Sequence, residues 1–304
     1  MVIFFFFLFG IVIGSFLNVC ISRIPEGLSI VAPGSRCPRC LTPIKPYDNV
    51  PILGWLWLRG KCRSCALPIS PMYPVIEVLT GLLFVGCYLT FDITPETFKW
   101  LFFGCLLIIL TVTDLRVRML PDAINWPGFG AALGLAVFIP PDDGTGRLIS
   151  TRIFHYAPPG PVLGVADALL GAAFGSLLLL GASALYRLVR HRDGMGLGDV
   201  KMMAMVGAFL GVRGAFMTIL IGTLLGSIIG IAIIVALFLV RWKRDVAERA
   251  ARRGLGNAAG LHWAIVSKYQ LPLGTFLGIG ALLVVFCTSS SWFGSWLEML
   301  PHRR

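Results

Sequence analysis

Two aspartates in this 304-residue chain are of a type and placement suited to acid–base chemistry. Asp114 closes a long apolar run, in Thr113-Asp114-Leu115-Arg116. Asp199 stands in Gly194-Met195-Gly196-Leu197-Gly198-Asp199-Val200-Lys201, where another apolar run begins. Two carboxylates held close together cannot both ionise easily, so they share a proton. The ionised member can take a proton from water as that water attacks a peptide carbonyl. The protonated member can donate to the oxyanion or to the leaving amine. Gly196 and Gly198 add no side-chain bulk and let a substrate backbone come close. This chemistry requires no metal. The plainer alternative is that Asp199 caps a helix and its glycines form an ordinary loop. Asp122 follows Pro121 and precedes a helix, so capping is its expected role. Asp167 is also expected to be a cap. Glu77 lies near the start of a span, where a helix N-terminus favours negative charge.

Four cysteines form a second group. Cys37-Pro-Arg-Cys40 and Cys62-Arg-Ser-Cys65 are two C-x2-C pairs at close to zinc-ribbon spacing. A tight turn between each pair presents both sulfurs to one ion, and two such turns complete a tetrahedron. A closed four-thiolate zinc site has no position left for substrate, so its role is structural and the metal supplies much of the folding energy. Four ordinary cysteines or a redox pair are the alternatives. Cys20, Cys87, Cys105 and Cys287 lie in apolar runs without such spacing and are expected to be small packing residues.

The elements that position these groups are membrane helices. Hydrophobic residues make up 57% of the chain and charged residues 13%, about half the charged share of a soluble domain. Eight apolar runs are predicted to span a bilayer: Val2–Ile21, Val75–Phe91, Phe98–Thr113, Ile124–Ile139, Val165–Leu188, Val200–Leu210, Ala215–Val240 and Leu271–Cys287. The predicted fold is therefore an all-α polytopic membrane protein with about eight transmembrane helices and a small zinc-ribbon-like cytoplasmic loop. The first run has no Lys or Arg before Arg23 and is read as a retained helix, not a cleaved signal. With the N-terminus outside, twenty of the 26 Lys and Arg residues fall on the cytoplasmic side. That asymmetry follows the positive-inside rule and accounts for the net charge of +11 without nucleic acid. It also places Asp114 and Asp199 at the same cytoplasmic boundary and favours contact with anionic lipid headgroups. The external segment Pro140–Pro161 is expected to be loose, and no internal repeat is expected. The cytoplasmic stretch Arg241–Gln270 begins as a basic helix-like segment.

Five motifs in order resemble those of the bifunctional prepilin peptidases, membrane aspartyl proteases of the GxGD type. Gly196-Leu197-Gly198-Asp199 with Val200-Lys201 is similar to their signature, and Asp114 stands seven residues before Pro121 as their first aspartate does. Gly14-Ser15-Phe16-Leu17-Asn18-Val19 with Arg23-Ile24-Pro25 resembles their N-terminal signature. Ser35-Arg36-Cys37-Pro38-Arg39-Cys40 with Arg59-Gly60-Lys61-Cys62 resembles their cysteine loop. Tyr73-Pro74-Val75-Ile76-Glu77-Val78-Leu79-Thr80-Gly81 resembles the opening of their second span.

The resemblance implies a bacterial inner-membrane enzyme with Asp114 and Asp199 as catalytic pair. Such enzymes cut the basic leader of type IV prepilins or type II secretion pseudopilins after a glycine, on the cytoplasmic side. They then methylate the new N-terminus with S-adenosylmethionine, and the cysteine loop marks the bifunctional type. The implied division is 1–21 as first helix, 22–74 as four-cysteine loop and 75–304 as membrane peptidase core. Asp193 stands where the family often has Glu, and Pro272-Leu273-Gly274-Thr275 follows a usual Phe-Gly-Pro only loosely. These departures are expected to leave the aspartates untouched. The adenosylmethionine site, the oligomeric state and the roles of Glu77 and Lys201 are not assigned by the sequence. Two other readings are a peptidase without methyl transfer and a polytopic transporter. A transporter would place its charges near mid-membrane, often in inverted repeats.

Overall fold

The computed structural model describes residues 1–141, 143–153, 155, 158–191, 196–241 and 272–289. Asp193 and the basic stretch after Arg241 lie outside the described residues. The described chain is helical. In order it forms α1 (Val2–Arg23), α2 (Leu53–Trp57), α3 (Met72–Phe91), α4 (Pro95–Val117), α5 (Asp122–Ala136), α6 (Thr145–Ile153), α7 (Gly160–Arg190), α8 (Leu197–Arg241) and α9 (Leu273–Ser289). Five of these are long and apolar enough to cross a membrane: α1, α3, α4, α7 and the α8 stretch Leu197–Ile233. The shorter α5 and α9 coincide with the fourth and last predicted spans. The sixth and seventh predicted spans fall within the single helix α8. The structure therefore does not return a count of eight.

The division of α8 is nonetheless physical. Gly211 breaks the helix, with φ 75° and ψ −174°. A side chain would be strained there, and a Cβ would stand 2.6 Å from Asp143 Cβ. The break leaves the next helical turn with unpaired N–H groups. Asp143 supplies the acceptors: the N–H groups of Val212 and Arg213 donate to its carboxylate at 3.0 and 3.1 Å. Arg213 Nε lies 3.8 Å from the same carboxylate. Asp143 comes from the segment expected to be loose. Its described part instead carries α6, and Asp143 is buried. Asp167, buried within α7, accepts from the Gly146 N–H in the first turn of α6. It caps a neighbouring helix, not its own. Asp143→Ala is expected to cost about 0.5–2 kcal/mol, the usual worth of a lost cap, read as a lower unfolding midpoint in detergent.

Packing between the long helices fixes the geometry of the other end. Phe103 of α4 stacks on Phe209 of α8 with ring centroids 4.5 Å apart. Leu107, Leu110, Met202, Val206, Leu277 and Ala281 complete a core shared by α4, α8 and α9. Thr94 and Pro95 start α4 through a capping box with Thr97. Lys99, one turn in, donates to the Ile139 carbonyl at 3.3 Å, tying the beginning of α4 to the end of α5. The α4–α5 hairpin therefore turns at the opposite end, next to Asp114.

Candidate functional site

Asp114 and Asp199 arrive from different helices. Asp114 lies in the last turn of α4, which Arg118 closes in a left-handed conformation with φ 54°. Asp199 lies in the first turn of α8. Both face the start of α9. A Cβ placed on Gly274 would stand 3.0 Å from an oxygen of each aspartate. The two carboxylate oxygens are thus no farther apart than twice that distance. Glycine at 274 leaves the space between them open. Asp114 is buried and Asp199 half-buried.

Asp114 is also held. Thr275 donates to its Oδ2 twice, from the backbone N–H at 2.7 Å and from Oγ1 at 3.0 Å. Thr275 Oγ1 also lies 3.3 Å from the Thr111 carbonyl. The segment expected to leave the aspartates alone therefore bonds directly to Asp114. A proline at 275, as in the family's usual Phe-Gly-Pro, has no N–H and no hydroxyl and could make neither bond to Asp114. The available signal was Gly274-Thr275 at the start of an apolar run, a polar pair where helix donors stand unpaired.

A cavity of about 410 Å³ opens beside the pair, lined by Asp114, Leu120, Gly196, Gly198 and Asp199. Gly196 leaves space beside Asp199, whereas Gly198 faces Leu120 closely. Asp122 and Lys201 stand on the same wall. Lys201 Nζ donates to both oxygens of Asp122, at 2.9 and 2.7 Å. Asp122 begins α5 without making a side-chain cap bond. Its partner is thus Lys201, in place of the expected cap. Both ends are partly exposed, so the pair orients the cavity wall more than it stabilises the fold.

The four cysteines come together as expected. Their sulfurs all lie within 4.8 Å of one another. Cys37 and Cys65 sulfurs are 3.9 Å apart, as are those of Cys40 and Cys62. A zinc–sulfur tetrahedron with bonds of about 2.3 Å has edges of about 3.8 Å, so the donor set fits that ion. The cysteines are free thiols, not disulfides. Hydrogen bonding with Thr42 draws the Cys40 thiol down to about 6. The Leu67 N–H lowers Cys65, but burial and the neighbouring thiols outweigh it and push Cys65 up to about 11. A cation entering the cluster must displace the protons that remain.

The two knuckles are a structural repeat, contrary to the expectation of none. Cys37 and Cys62 donate to the carbonyls of Thr42 and Leu67 at 3.0 and 2.9 Å. Leu41 and Ala66 take the same left-handed turn, with φ 58° and 55°. Ile44 and Ile69 donate to Ser35 and Gly60. The repeated unit is short, Arg36-Cys-x-x-Cys-Leu-Thr-Pro-Ile44 against Lys61-Cys-x-x-Cys-Ala-Leu-Pro-Ile69. Asp48 joins the two halves by gripping the Arg63 guanidinium at 2.7 and 2.6 Å. That guanidinium holds the Asp48 carboxyl below the usual range. Glu77 accepts from the Ile52 N–H at 2.7 Å, and Asn18 donates to the Tyr73 carbonyl at 3.0 Å. Glu77 thus docks the cysteine module onto α3.

Residues 8–91 match the bacterial peptidase A24 N-terminal domain, and residues 101–231 match the type IV leader peptidase family. Curated relatives named prepilin leader peptidase/N-methyltransferase align over most of the chain. The Myxococcus xanthus relative is 38% identical over 76% of this chain and 63% of its own length. The Aeromonas hydrophila relative is 34% identical over 75% and 80%, and the Bacillus subtilis relative 38% identical over 73% and 80%. The chain belongs to the type IV leader peptidase family. No solved structure matches it significantly. Both groups of chemically suited residues fall within the two family matches. The four cysteines lie in the N-terminal match and both aspartates in the type IV leader peptidase match. The shared family region ends before Gly274 and Thr275, which complete the surroundings of Asp114.

Proposed function

We propose that this chain cleaves the basic leader of type IV prepilins or type II secretion pseudopilins after a glycine, and then N-methylates the new terminus. The observation that carries the reading is the convergence of Asp114 and Asp199 on Gly274, in a chain of the type IV leader peptidase family. The two carboxylates share one proton. The ionised one removes a proton from water as its oxygen bonds to the scissile carbonyl carbon. The other protonates the leaving amine as the C–N bond breaks. Thr275 keeps Asp114 turned toward that bond, and the cavity beside Gly196 admits the substrate backbone. The positive-inside charge pattern supports a cytoplasmic active-site face in a bacterial inner membrane. The reading keeps the division into 1–21, 22–74 and 75–304.

Cys37, Cys40, Cys62 and Cys65 would hold a structural zinc ion. S-adenosylmethionine would donate the methyl group, as the relatives' name suggests. The test is mass spectrometry of a prepilin incubated with purified enzyme in a membrane mimic, with and without S-adenosylmethionine. Loss of the leader plus one added methyl supports both activities. Cleavage without methylation reduces the reading to a peptidase, and an unchanged prepilin rejects it.

Thr275 gives a finer test of the aspartate geometry. Thr275→Val removes the hydroxyl donor and keeps the N–H. A lost hydrogen bond to a charged group is worth about 1.5–3 kcal/mol, so kcat is expected to fall about 10- to 100-fold with KM little changed. Thr275→Ser should restore most of it. Equal activity in the Val and Ser variants would show that the hydroxyl contributes nothing.

A further inference from the structure

The short helix α2 has an apolar face that the protein leaves uncovered. Leu53, Leu56 and Trp57 follow helical spacing and share one side. They are 65%, 57% and 82% exposed. Trp55 points elsewhere and donates from Nε1 to the Ile69 carbonyl within the module at 3.2 Å. Leu53, Leu56 and Trp57 are therefore surplus to the packing of the cysteine module.

The height of α2 relative to the bilayer follows from one hydrogen bond. Ile52, the residue before α2, donates to Glu77 at 2.7 Å. Glu77 lies five residues into α3, about 7 Å along that helix at 1.5 Å per residue. The whole of α3 has 20 residues, a length of about 30 Å that matches the hydrocarbon thickness of a bilayer. The start of α2 thus lies within one glutamate side chain and one hydrogen bond of the first turns of a membrane span. Val75, Leu79 and Leu82 of α3 are half-exposed or more and mark the lipid-facing side of this span, whereas Glu77 is buried on its other side. Arg59 and Lys61 follow and are exposed, giving the same region the positive charge that anionic headgroups attract.

We propose that α2 is a membrane-interface anchor: Leu53, Leu56 and Trp57 insert among the lipid headgroups and upper acyl chains, with Arg59 and Lys61 on the phosphates. Tryptophan suits this depth because its ring is apolar and its N–H is polar. The anchor and the adjoining Ile52–Glu77 bond together hold the four-cysteine module against the leaflet. This inference rests on the membrane reading of α3 and not on the cleavage reaction.

The test uses full-length protein in nanodiscs made with phospholipids brominated on the upper acyl chain, which quench nearby tryptophan. The chain has eight tryptophans, so the difference between native protein and Trp57→Phe isolates one. The expected result is that brominated lipid removes most of this difference emission while aqueous iodide leaves it. In Leu56→Asp, which puts a charge on the inserted face, the lipid quenching should be lost. Quenching by iodide and not by lipid would overturn the proposal by placing Trp57 in water. Protection from both quenchers would overturn it as well, because a second copy or a bound polypeptide would then cover the face.

Discussion

Asp114→Asn and Asp199→Asn are each expected to abolish leader cleavage while the protein still inserts and binds metal. Asparagine keeps the shape of the side chain but cannot exchange a proton at working pH. General acid–base catalysis is worth about 10²–10⁴-fold, or roughly 3–5 kcal/mol of barrier, and either substitution removes a partner on which the other depends. The double variant should therefore be no slower than the slower single one, because the pair acts as a unit. The measurement is the rate of leader loss from a prepilin, with the zinc content of each variant as the folding control. Retained cleavage in either single variant would rule out the dyad. Full additivity of the two losses would mean that the residues act independently.

The second large effect is expected at the cysteines. Cys37→Ser combined with Cys62→Ser removes one ligand from each knuckle. The metal content should fall from about one zinc per chain to none. Structural zinc contributes about 10–16 kcal/mol of apparent binding energy in small domains, so the module should unfold locally. Limited proteolysis between residues 24 and 74 reads this directly. The aspartate site is built from α4, α8 and α9, so the membrane bundle should remain folded. Lowering the pH should release metal from the native protein, because protons compete for the thiolates. Active protein that contains no zinc would refute a structural metal.

Much of this was legible because membrane helices write themselves plainly in sequence. Long apolar runs gave the helices, and their charged flanks gave a sidedness. The paired C-x2-C motifs gave the cysteine cluster. Asp114 and Asp199 were legible as carboxylates at the ends of apolar runs, where an ionisable group is costly. Other features depended on contacts between distant segments. Thr275 resembled an ordinary helix start until α9 packed beside α4. Asp143 lay in a stretch rich in Pro and Gly, and only the broken helix at Gly211 gives it a reason to be buried. Lys201 and Asp122 are 79 positions apart, and no local rule pairs them. The knuckle repeat was readable but short, and most of its likeness lies in backbone turns rather than in side chains.

The hold of Thr275 on Asp114 has a consequence for the order in which the protein is made. The two residues are 161 positions apart. At about 5–20 residues per second, the ribosome reaches Thr275 roughly 8–30 s after Asp114. In the later part of that interval α4 and the start of α8 are both available to the membrane, but the donors that orient the first carboxylate do not yet exist. The newborn chain thus carries both aspartates without the arrangement described above, and α9 completes it. A chain stalled or truncated before α9 is a membrane protein with an unfinished site, and arrested translation intermediates offer a direct view of that delay.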